Sequence, residues 1–250
     1  MPLLEGKTAV ITGATKGIGL AIAKELAGEG ATILVNHRPG RVPSTDAQSQ
    51  LKGLLSPSNP RLLICEADMT IEEDVIRLAE TALLELKKVD IWVNNVGSHI
   101  VTPAMSQTKS NWDELFSVNA TSTFLGCREA ARIMKDNGGG SLINISSKMG
   151  LVGSPENACY CSAKAAVVMM TRCLGAAWAP FNIRVNAVAP GQDQLARSLP
   201  AEVVTLRVKD KAAKQTGVYY DKVVTFAEPP GERRVNAATR ACSGRPGSSI

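Results

Sequence analysis

Short apolar runs rich in β-branched residues alternate along the chain with longer segments in which apolar residues recur every three or four positions. The short runs predict buried strands, and the longer segments predict helices with one apolar face. Strands are expected at 7–12, 31–36, 61–67, 90–95, 140–146 and 182–189, and helices at 18–29, 44–55, 71–87, 111–136 and 157–178.

The predicted strands and helices follow one another in strict alternation, and the strands are almost continuously apolar. This pattern favours a parallel sheet covered by helices on both faces, with right-handed crossovers. A chain of 250 residues, 44% hydrophobic and 20% charged, suits one large α/β domain. We therefore predict a doubly wound sheet of the Rossmann type, in which ligands bind beyond the carboxyl ends of the strands.

Charge and cysteine content argue against several other functions. The net charge is +5, and residues 192–250 hold ten Lys and Arg against six Asp and Glu, without a concentrated basic surface. The six cysteines form no Cys-x-x-Cys pair, so we expect reduced thiols and no metal site. The chain does not open on a charged and then apolar leader, and no apolar run is long enough to cross a bilayer. We expect a cytoplasmic protein that binds neither membrane nor nucleic acid.

A glycine-rich turn follows the first predicted strand, where residues 12–19 read TGATKGIG. Glycine permits a tight turn and a close approach to a pyrophosphate, and the next helix offers free N–H groups at its start. An ordinary strand-to-helix turn is the alternative, because a glycine triplet alone is weak evidence. The position directly after the first strand favours dinucleotide binding.

The end of the second predicted strand indicates whether the dinucleotide is NAD(H) or NADP(H). It reads Asn36, His37, Arg38 and lacks the carboxylate that commonly binds the ribose 2′-hydroxyl of NAD. A guanidinium matches the geometry of a 2′-phosphate, and Lys16 in the glycine turn supplies a second cation. The pattern favours NADP(H) over NAD(H), although Lys16 and Arg38 are alternatively solvated surface cations.

Four polar residues predict a proton-transfer site beside this cofactor. Tyr160 and Lys164 stand four residues apart on one predicted helix and therefore share a face. A nearby ammonium favours the phenolate of Tyr160, which then exchanges a proton with a carbonyl or hydroxyl oxygen. Ser147 ends the fifth strand and is expected to polarise that oxygen, and Asn119 to hold a water that joins Lys164 to solvent. Each residue alone has an ordinary structural explanation.

Seven motifs stand along the predicted strands and helices. They are the turn at 12–19, Asp68 after the third strand, NNVG at 94–97, Val118-Asn119, NISS at 144–147, YCSAK at 160–164 and Pro190-Gly191. Over about residues 5–191 these motifs together resemble the short-chain dehydrogenase/reductase family, and more loosely its 3-oxoacyl-[acyl-carrier-protein] reductase-like members. The resemblance implies that Tyr160 is the acid/base, that Lys164 binds the nicotinamide ribose and lowers the tyrosine pKa, that Ser147 orients substrate, and that Asn119 maintains the relay.

The same resemblance implies a set of cofactor contacts. Asp68 is expected to meet the adenine, Asn95 the central part of the cofactor, and Pro190 the nicotinamide. The full set implied is Gly13, Thr15, Lys16, Gly17, Ile18, Gly19, Arg38, Asp68, Asn95, Gly97, Tyr160, Lys164, Pro190 and Gly191.

The resemblance ends at Gly191, so we expect a cofactor-binding and catalytic core at 1–191 and a divergent lid or tail at 192–250. The family continues with a hydroxyl-bearing motif near the nicotinamide, whereas this chain reads QDQL at 192–195. Residues 201–214 are compatible with a helix. Residues 228–250 are rich in Pro, Gly, Ser and Arg, show no seventh strand and are expected to be partly disordered.

The function expected from these residues is an NADP(H)-dependent oxidoreductase of the carbonyl reductase type, which acts without metal on a small ketone or secondary alcohol. A homo-oligomer, dimer or tetramer, is expected if the C-terminal segment permits it. The alternative is an NADP(H)-binding protein with weak or no catalysis, because of the altered segment after Gly191. A nucleic-acid-binding module is disfavoured, since the basic residues of the tail are dispersed.

Overall fold

Eight strands of the described residues form a single sheet. The computed structural model describes residues 2–41, 45–53, 62–191, 217–220 and 223–226. The strands are β1 (Thr8–Ile11), β2 (Thr32–His37), β3 (Leu62–Glu66), β4 (Ile91–Asn94), β5 (Gly140–Ile145), β6 (Ile183–Ala189), β7 (Gly217–Tyr220) and β8 (Val223–Phe226). Their order across the sheet is β3-β2-β1-β4-β5-β6-β7-β8. The first seven are parallel, and only β8 runs antiparallel, against β7.

Helices cover both faces of this sheet, which confirms the predicted Rossmann-type architecture. Successive residues of a strand point to opposite faces. Val10, Trp92 and Leu142 pack under α3 (Glu72–Leu86) and α5 (Ser122–Asp136), whereas Ile11 and Ile91 pack under α1 (Gly17–Gly28). The helices are α1 (Gly17–Gly28), α2 (Thr45–Lys52), α3 (Glu72–Leu86), α4 (Lys109–Phe116), α5 (Ser122–Asp136) and α6 (Ala158–Trp178).

The order of the strands reverses between β1 and β4. The chain moves outward from β1 through β2 to β3 and then returns to pair β4 with β1 on its other side. Ile11 of β1 lies opposite both Val35 of β2 and Val93 of β4, so the three strands end near the same level. At such a reversal the connecting loops part and leave a crevice at the carboxyl edge.

The long helix predicted at 111–136 is interrupted in the structure. A π-helix, Ser117–Thr121, separates α4 from α5. The side-chain amide of Asn119 donates to the Leu115 carbonyl at 2.9 Å, the group that a regular helix would pair with the Asn119 backbone N–H. The hydroxyl of Thr123 in turn donates to the Asn119 carbonyl at 2.9 Å. These side-chain bonds stabilise the wider turn and place Asn119, fully buried, on its inner side.

A buried polar network joins four elements beneath the carboxyl edge. Trp92 Nε1 donates to Asn94 Oδ1 at 2.8 Å, and Asn94 Nδ2 donates to Asn144 Oδ1 at 2.9 Å and to Cys127 Sγ at 3.2 Å. Asn144 Nδ2 donates to Thr171 Oγ1 at 3.0 Å. Because each buried donor has a partner, β4, β5, α5 and α6 are held in one arrangement.

The C-terminal region departs from the prediction in one respect. We predicted six strands, and the structure adds β7 and β8, whose sequences GVYY and VVTF are short apolar runs that the pattern could have identified. β7 extends the parallel sheet, with Asn186 opposite Gly217 and Ala189 opposite Tyr220. The predicted helix at 201–214 and the expectations for residues 228–250 lie outside the described residues.

Within the described part of the chain, no helix is long and apolar enough to cross a bilayer. The same residues contain no group of three or more His, Cys, Asp or Glu side chains that could hold a metal ion. The five described cysteines, Cys65, Cys127, Cys159, Cys161 and Cys173, are free thiols.

Candidate active site

The glycine turn opens the crevice between β1 and β4. Gly13 and Gly17 have φ of +61° and +54°, a conformation that L side chains rarely adopt. A Cβ on Gly19 would lie 2.4 Å from Asn95 Nδ2 and 2.6 Å from the Gly13 carbonyl oxygen, so only glycine allows this contact. The space where a side chain of Gly17 would stand is open. The start of α1 therefore fits the pyrophosphate of a dinucleotide.

Asn95 holds the turn in place from β4. Its Nδ2 donates to the Thr12 and Gly13 carbonyls at 2.9 and 3.1 Å, and its backbone N–H donates to Thr12 Oγ1 at 3.0 Å. The residue predicted to meet the middle of the cofactor thus also fixes the loop that would bind the phosphates. Any contact of Asn95 with the cofactor stays a prediction.

Asn36 is a residue of this edge to which the sequence analysis gave no role. It is buried at the end of β2, where its Oδ1 accepts from the Gly13 N–H at 3.2 Å and its Nδ2 donates to the Ala67 carbonyl at 2.9 Å. Its own carbonyl accepts from the Ala14 N–H at 3.1 Å. Asn36 therefore links the ends of β1, β2 and β3. The signal was a buried amide in an otherwise apolar strand.

Arg38 and Asp68, predicted to contact opposite ends of the adenosine, contact each other. Arg38 Nε lies 2.9 Å from Asp68 Oδ2, and Thr70 donates to Asp68 Oδ1 through its backbone N–H and its hydroxyl, at 2.9 and 2.7 Å. Burial opposes the charge of Asp68, yet the bonds from Thr70 and the guanidinium of Arg38 bring its pKa below the ordinary value. The Arg38 side chain remains 66% exposed at the rim of the crevice.

Tyr160 and Ser147 face each other across the carboxyl edge of β5. Ser147 caps a short 3₁₀ turn, Lys148–Gly150, where its Oγ accepts from the Met149 N–H at 3.1 Å. Tyr160 lies in the first turn of α6. Burial raises the pKa of Tyr160, and the hydrogen bond with Ser147 acts in the opposite direction. The predicted lowering of the tyrosine pKa by Lys164 stays a prediction for the cofactor-bound protein.

Lys164 is buried one turn further along α6. Its Nζ donates to the Ile145 carbonyl at 2.9 Å and lies 5.9 Å from the centre of the Tyr160 ring. Burial lowers the pKa of Lys164 from 10.5 to about 8. Ser146 fixes the helix here, because its hydroxyl donates to the Lys164 carbonyl at 2.9 Å.

Gly97 connects Asn119 with Lys164. A Cβ on Gly97 would lie 2.9 Å from Asn119 Oδ1 and 3.1 Å from Lys164 Nζ, so both polar atoms lie close to the same point. Asn119 is held there by its Nδ2, which donates to the Ser98 carbonyl at 2.9 Å, and by its Oδ1, which accepts from the Ser98 N–H at 3.2 Å. This arrangement is compatible with a relay that passes from Lys164 towards Asn119.

Ser147, Tyr160 and Lys164 line one cleft of about 230 Å³ at the carboxyl edge, together with four other predicted cofactor-binding residues. Asn119, Arg38 and Asp68 are not among the residues that line it. An adjoining cleft of about 240 Å³ extends outward from it and shares His99, Ser147, Tyr160 and Pro190 with the first. Gly191 lines the outer cleft only. The residues that line the inner cleft are Ile18, Asn95, Gly97, Ser98, His99, Ile145, Ser146, Ser147, Tyr160, Lys164 and Pro190.

Comparison with known proteins decides the family. Residues 7–194 match the short chain dehydrogenase family. The chain belongs to the short-chain dehydrogenases. It is therefore an oxidoreductase of alcohols or ketones that uses a nicotinamide cofactor. The predicted likeness to 3-oxoacyl-[acyl-carrier-protein] reductases in particular stays a prediction.

Similar short-chain dehydrogenases have diverse names. Glucose 1-dehydrogenase 2 of Bacillus subtilis (strain 168) is 38% identical over 75% of this chain and 72% of its own length. NAD-dependent glycerol dehydrogenase of Listeria innocua serovar 6a is 31% identical over 74% of this chain and 69% of its own. The crystal structure of a short chain dehydrogenase from Mycobacterium smegmatis superposes with a TM-score of 0.75, at 25% identity, over 89% of this chain and 95% of that one.

Two residues of this dehydrogenase that the sequence analysis did not assign lie at the site. His99 packs against Tyr160, with ring centres 4.5 Å apart, and lines both clefts. Lys148 follows Ser147 and lines the outer cleft. Lys148 directly follows NISS, and His99 stands two residues after NNVG, which was the available signal. The closeness of the two loops arises only in the folded sheet.

Proposed function

We propose that the protein is an NADP(H)-dependent carbonyl reductase that interconverts a small ketone and the corresponding secondary alcohol, with Tyr160 as the acid/base. One observation supports this most directly. A single cleft brings Ser147, Tyr160 and Lys164 together at the carboxyl edge, next to Ile18 of the glycine turn. The cofactor and the proton donor would therefore meet the substrate from adjacent walls.

Each side chain has a definite part in the proposed reaction. When bound, NADPH would supply the hydride for the carbonyl carbon and be oxidised to NADP⁺. Tyr160 donates its hydroxyl proton to the carbonyl oxygen, while Ser147 donates a hydrogen bond to the same oxygen and stabilises its developing charge. Lys164 binds the ribose and favours the phenolate. Lys164, joined to solvent by a water that Asn119 holds, returns a proton to Tyr160.

The proposed preference for NADP(H) rests on the residues at the end of β2. Arg38 is exposed at the rim and pairs with Asp68 through Nε, which leaves the terminal nitrogens of its guanidinium to bind a 2′-phosphate. Lys16, exposed at the start of α1, adds a second positive charge. The Listeria relative is named as NAD-dependent, so the likeness to relatives does not carry this preference.

Replacement of Tyr160 by Phe tests the acid/base assignment. We expect turnover of ketones with NADPH, followed by cofactor absorbance, to fall at least about a hundredfold, in the range lost with a general acid. Binding of NADPH, followed by fluorescence titration, should persist, because the glycine turn is untouched. Ser162→Ala, on the exposed side of the same helix, is the control and should retain turnover. Full activity of Y160F would refute the assignment.

The second candidate function is cofactor binding without turnover. It is favoured by the sequence after Gly191, where QDQL stands in place of the hydroxyl-bearing motif that the resemblance led us to expect. The same assay separates the two. Tight binding of NADPH with no turnover of any ketone or 3-oxoacyl thioester would support this candidate and contradict the first.

We further propose a cytoplasmic homo-oligomer, a dimer or tetramer. The free thiols of the described cysteines agree with a reducing compartment. Large apolar side chains are exposed on three neighbouring helices, namely Trp112 on α4 at 41%, Phe124 on α5 at 42% and Met169 on α6 at 56%. Such a surface favours contact with a second copy.

A further inference from the structure

The outer cleft has a chemical character that the proposed reaction does not require. It begins at Ser147 and Tyr160 and continues away from the glycine turn between the loop after β4 and the loop after β5. A ketone whose oxygen meets Tyr160 would extend the rest of its carbon chain into this space. The residues of the outer cleft therefore contact the part of the substrate that does not react.

The charged groups along this cleft are basic. Among its described lining residues, Lys148 and His99 are the basic side chains, and none is a carboxylate. The pairs within 4.0 Å in the described chain include no acidic partner for Lys148. The buried ammonium of Lys164 lies behind Tyr160 in the adjoining cleft. Lys148 would attract an anionic group in the outer cleft, and none of the described lining residues is a carboxylate that would repel it.

Lys148 is held close to the reacting centre by its backbone. Its N–H donates to the Pro190 carbonyl at 3.0 Å, and its carbonyl accepts from the N–H groups of Leu151 and Val152 at 2.9 and 3.0 Å. Pro190 and Ser147 line both clefts. Only the flexible side chain of Lys148 is therefore free to move, and it starts one residue from the proposed substrate-orienting hydroxyl.

His99 is oriented by a chain of hydrogen bonds. Asn157 Nδ2 donates to Ser154 Oγ at 2.8 Å, which turns Asn157 Oδ1 towards His99 Nε2 at 2.5 Å. Nε2 consequently carries the proton and donates to Asn157. The ring packs on Tyr160, and its other nitrogen, Nδ1, has no hydrogen-bond partner among the described residues. His99 is thus a fixed, exposed polar group beside the acid/base.

We infer that the substrate of this dehydrogenase is a ketone or secondary alcohol that carries a carboxylate or phosphate, which Lys148 binds. The inference rests on the proposed function, because it takes the reacting oxygen to lie at Tyr160. Met149 and Val152 supply apolar contacts for the carbon chain between the two ends. The proposed class is therefore the oxo acids, or the corresponding phosphorylated ketones.

The test compares each anion with its neutral counterpart. Straight-chain oxo acids of increasing length are assayed beside their methyl esters, and dihydroxyacetone phosphate beside dihydroxyacetone, with NADPH and with NADH. We expect a kcat/KM at least about tenfold higher for the anion. Lys148→Gln should raise KM for the anion about tenfold, leave kcat nearly unchanged and leave the neutral counterpart unaffected, as expected for one charge-assisted hydrogen bond.

The matched control is Lys24→Gln, an exposed lysine of α1 outside both clefts, which should leave both substrates unchanged. Activity that is equal for acids and esters, or unaltered by Lys148→Gln, would overturn the inference while the proposed reductase stands. If dihydroxyacetone phosphate is the only anion preferred over its neutral counterpart, the cleft binds phosphate and not carboxylate.

If the enzyme turns over none of these compounds, a binding measurement still tests the anion site. Isothermal titration of 4-oxopentanoate and its methyl ester into the NADP⁺-treated protein measures the outer cleft without chemistry. Tighter binding of the acid that is lost in K148Q supports the anion site even if the reductase proposal fails. Equal binding of acid and ester, or no binding of either, contradicts it.

Discussion

Arg38 contacts Asp68 through Nε, so one of the two cations expected to select the cofactor already has a carboxylate partner. The pairing does not remove its positive charge from the rim, since the side chain stays 66% exposed. It does restrict where the guanidinium points, and a fixed fork binds phosphate better than a free one. Asp68, which is expected to meet the adenine, therefore also positions Arg38.

Replacement of Arg38 by Asp is expected to shift cofactor preference towards NADH. The change removes the cation and places two carboxylates side by side, which repel a 2′-phosphate. The ratio of kcat/KM for NADPH to that for NADH should fall about ten- to a hundredfold, the range of a lost charge-assisted hydrogen bond. Initial rates at saturating substrate with each cofactor measure this ratio.

The control for Arg38→Asp is the same substitution, Arg to Asp, at a residue outside the crevice. Arg172→Asp lies on the exposed side of α6, remote from the crevice, and should leave the ratio unchanged. Arg38→Gln removes the cation without adding a carboxylate and should give part of the shift. A ratio that stays constant in both Arg38 variants would exclude Arg38 from cofactor selection.

Site residues could be predicted from the sequence where the evidence lay within a single helix or strand. Tyr160 and Lys164 share a helix, so their spacing alone placed them on one face. Asn36, His99 and Lys148 gave no comparable signal, because their roles depend on contacts between loops that follow different strands. The Arg38 and Asp68 pair was missed for the same reason.

At the scale of elements, the glycine turn and α1 form one unit with β4. Gly13 and Gly19 allow the turn to approach Asn95, and Asn95 bonds to the turn in return. A helix terminus binds phosphate only if its N–H groups are correctly placed. Close packing against β4 therefore determines whether this terminus binds the cofactor.

Gly19→Ala should disrupt this unit. The added Cβ would stand 2.4 Å from Asn95 Nδ2 and 2.6 Å from a backbone oxygen, so the turn must move. We expect the dissociation constant for NADPH, measured by fluorescence titration, to rise at least about tenfold, equivalent to ~1.4 kcal/mol. Gly28→Ala, at the end of the same helix with open space around it, is the matched control. Equal affinity in the two variants would argue against the proposed phosphate site.

The boundaries of the elements were predictable where one pattern dominates. Strands buried on both faces read as short apolar runs, and all six predicted strands are present within about a residue of their expected ends. The π-helix was not predictable from periodicity, because it depends on the bond between the Asn119 amide and the Leu115 carbonyl. β7 and β8 were overlooked since their runs are short and lie in a polar region.

At the scale of the whole molecule, Lys164 lowers the stability of the fold that contains it. Its ammonium is buried with the Ile145 carbonyl as a partner, and burial lowers its pKa to about 8. An unfolded lysine has a pKa of 10.5, so between these values the unfolded chain binds more protons. The free energy of unfolding therefore rises with pH across this window and is lowest below it.

Lys164→Met should remove this pH dependence. We expect the variant to be more stable than the wild type near pH 7 by up to about 3 kcal/mol, and the difference to shrink as the pH approaches 10.5. Turnover should be lost. Denaturant unfolding of both proteins at several pH values measures the difference and cancels groups common to both. A stability difference that is independent of pH would show that Lys164 is not buried as an ammonium.

The buried network beneath the carboxyl edge contains a cysteine whose reactivity reports when α5 separates from the sheet. Cys127 is fully buried between Asn94 and Asn144, and burial raises its pKa to about 12, whereas Cys173 is exposed. A thiol reagent reacts with the thiolate and only with an accessible one. Cys173 is therefore modified in the native protein, while Cys127 becomes reactive only when α5 separates from the sheet. The labelling rate of Cys127 measures how often this separation occurs.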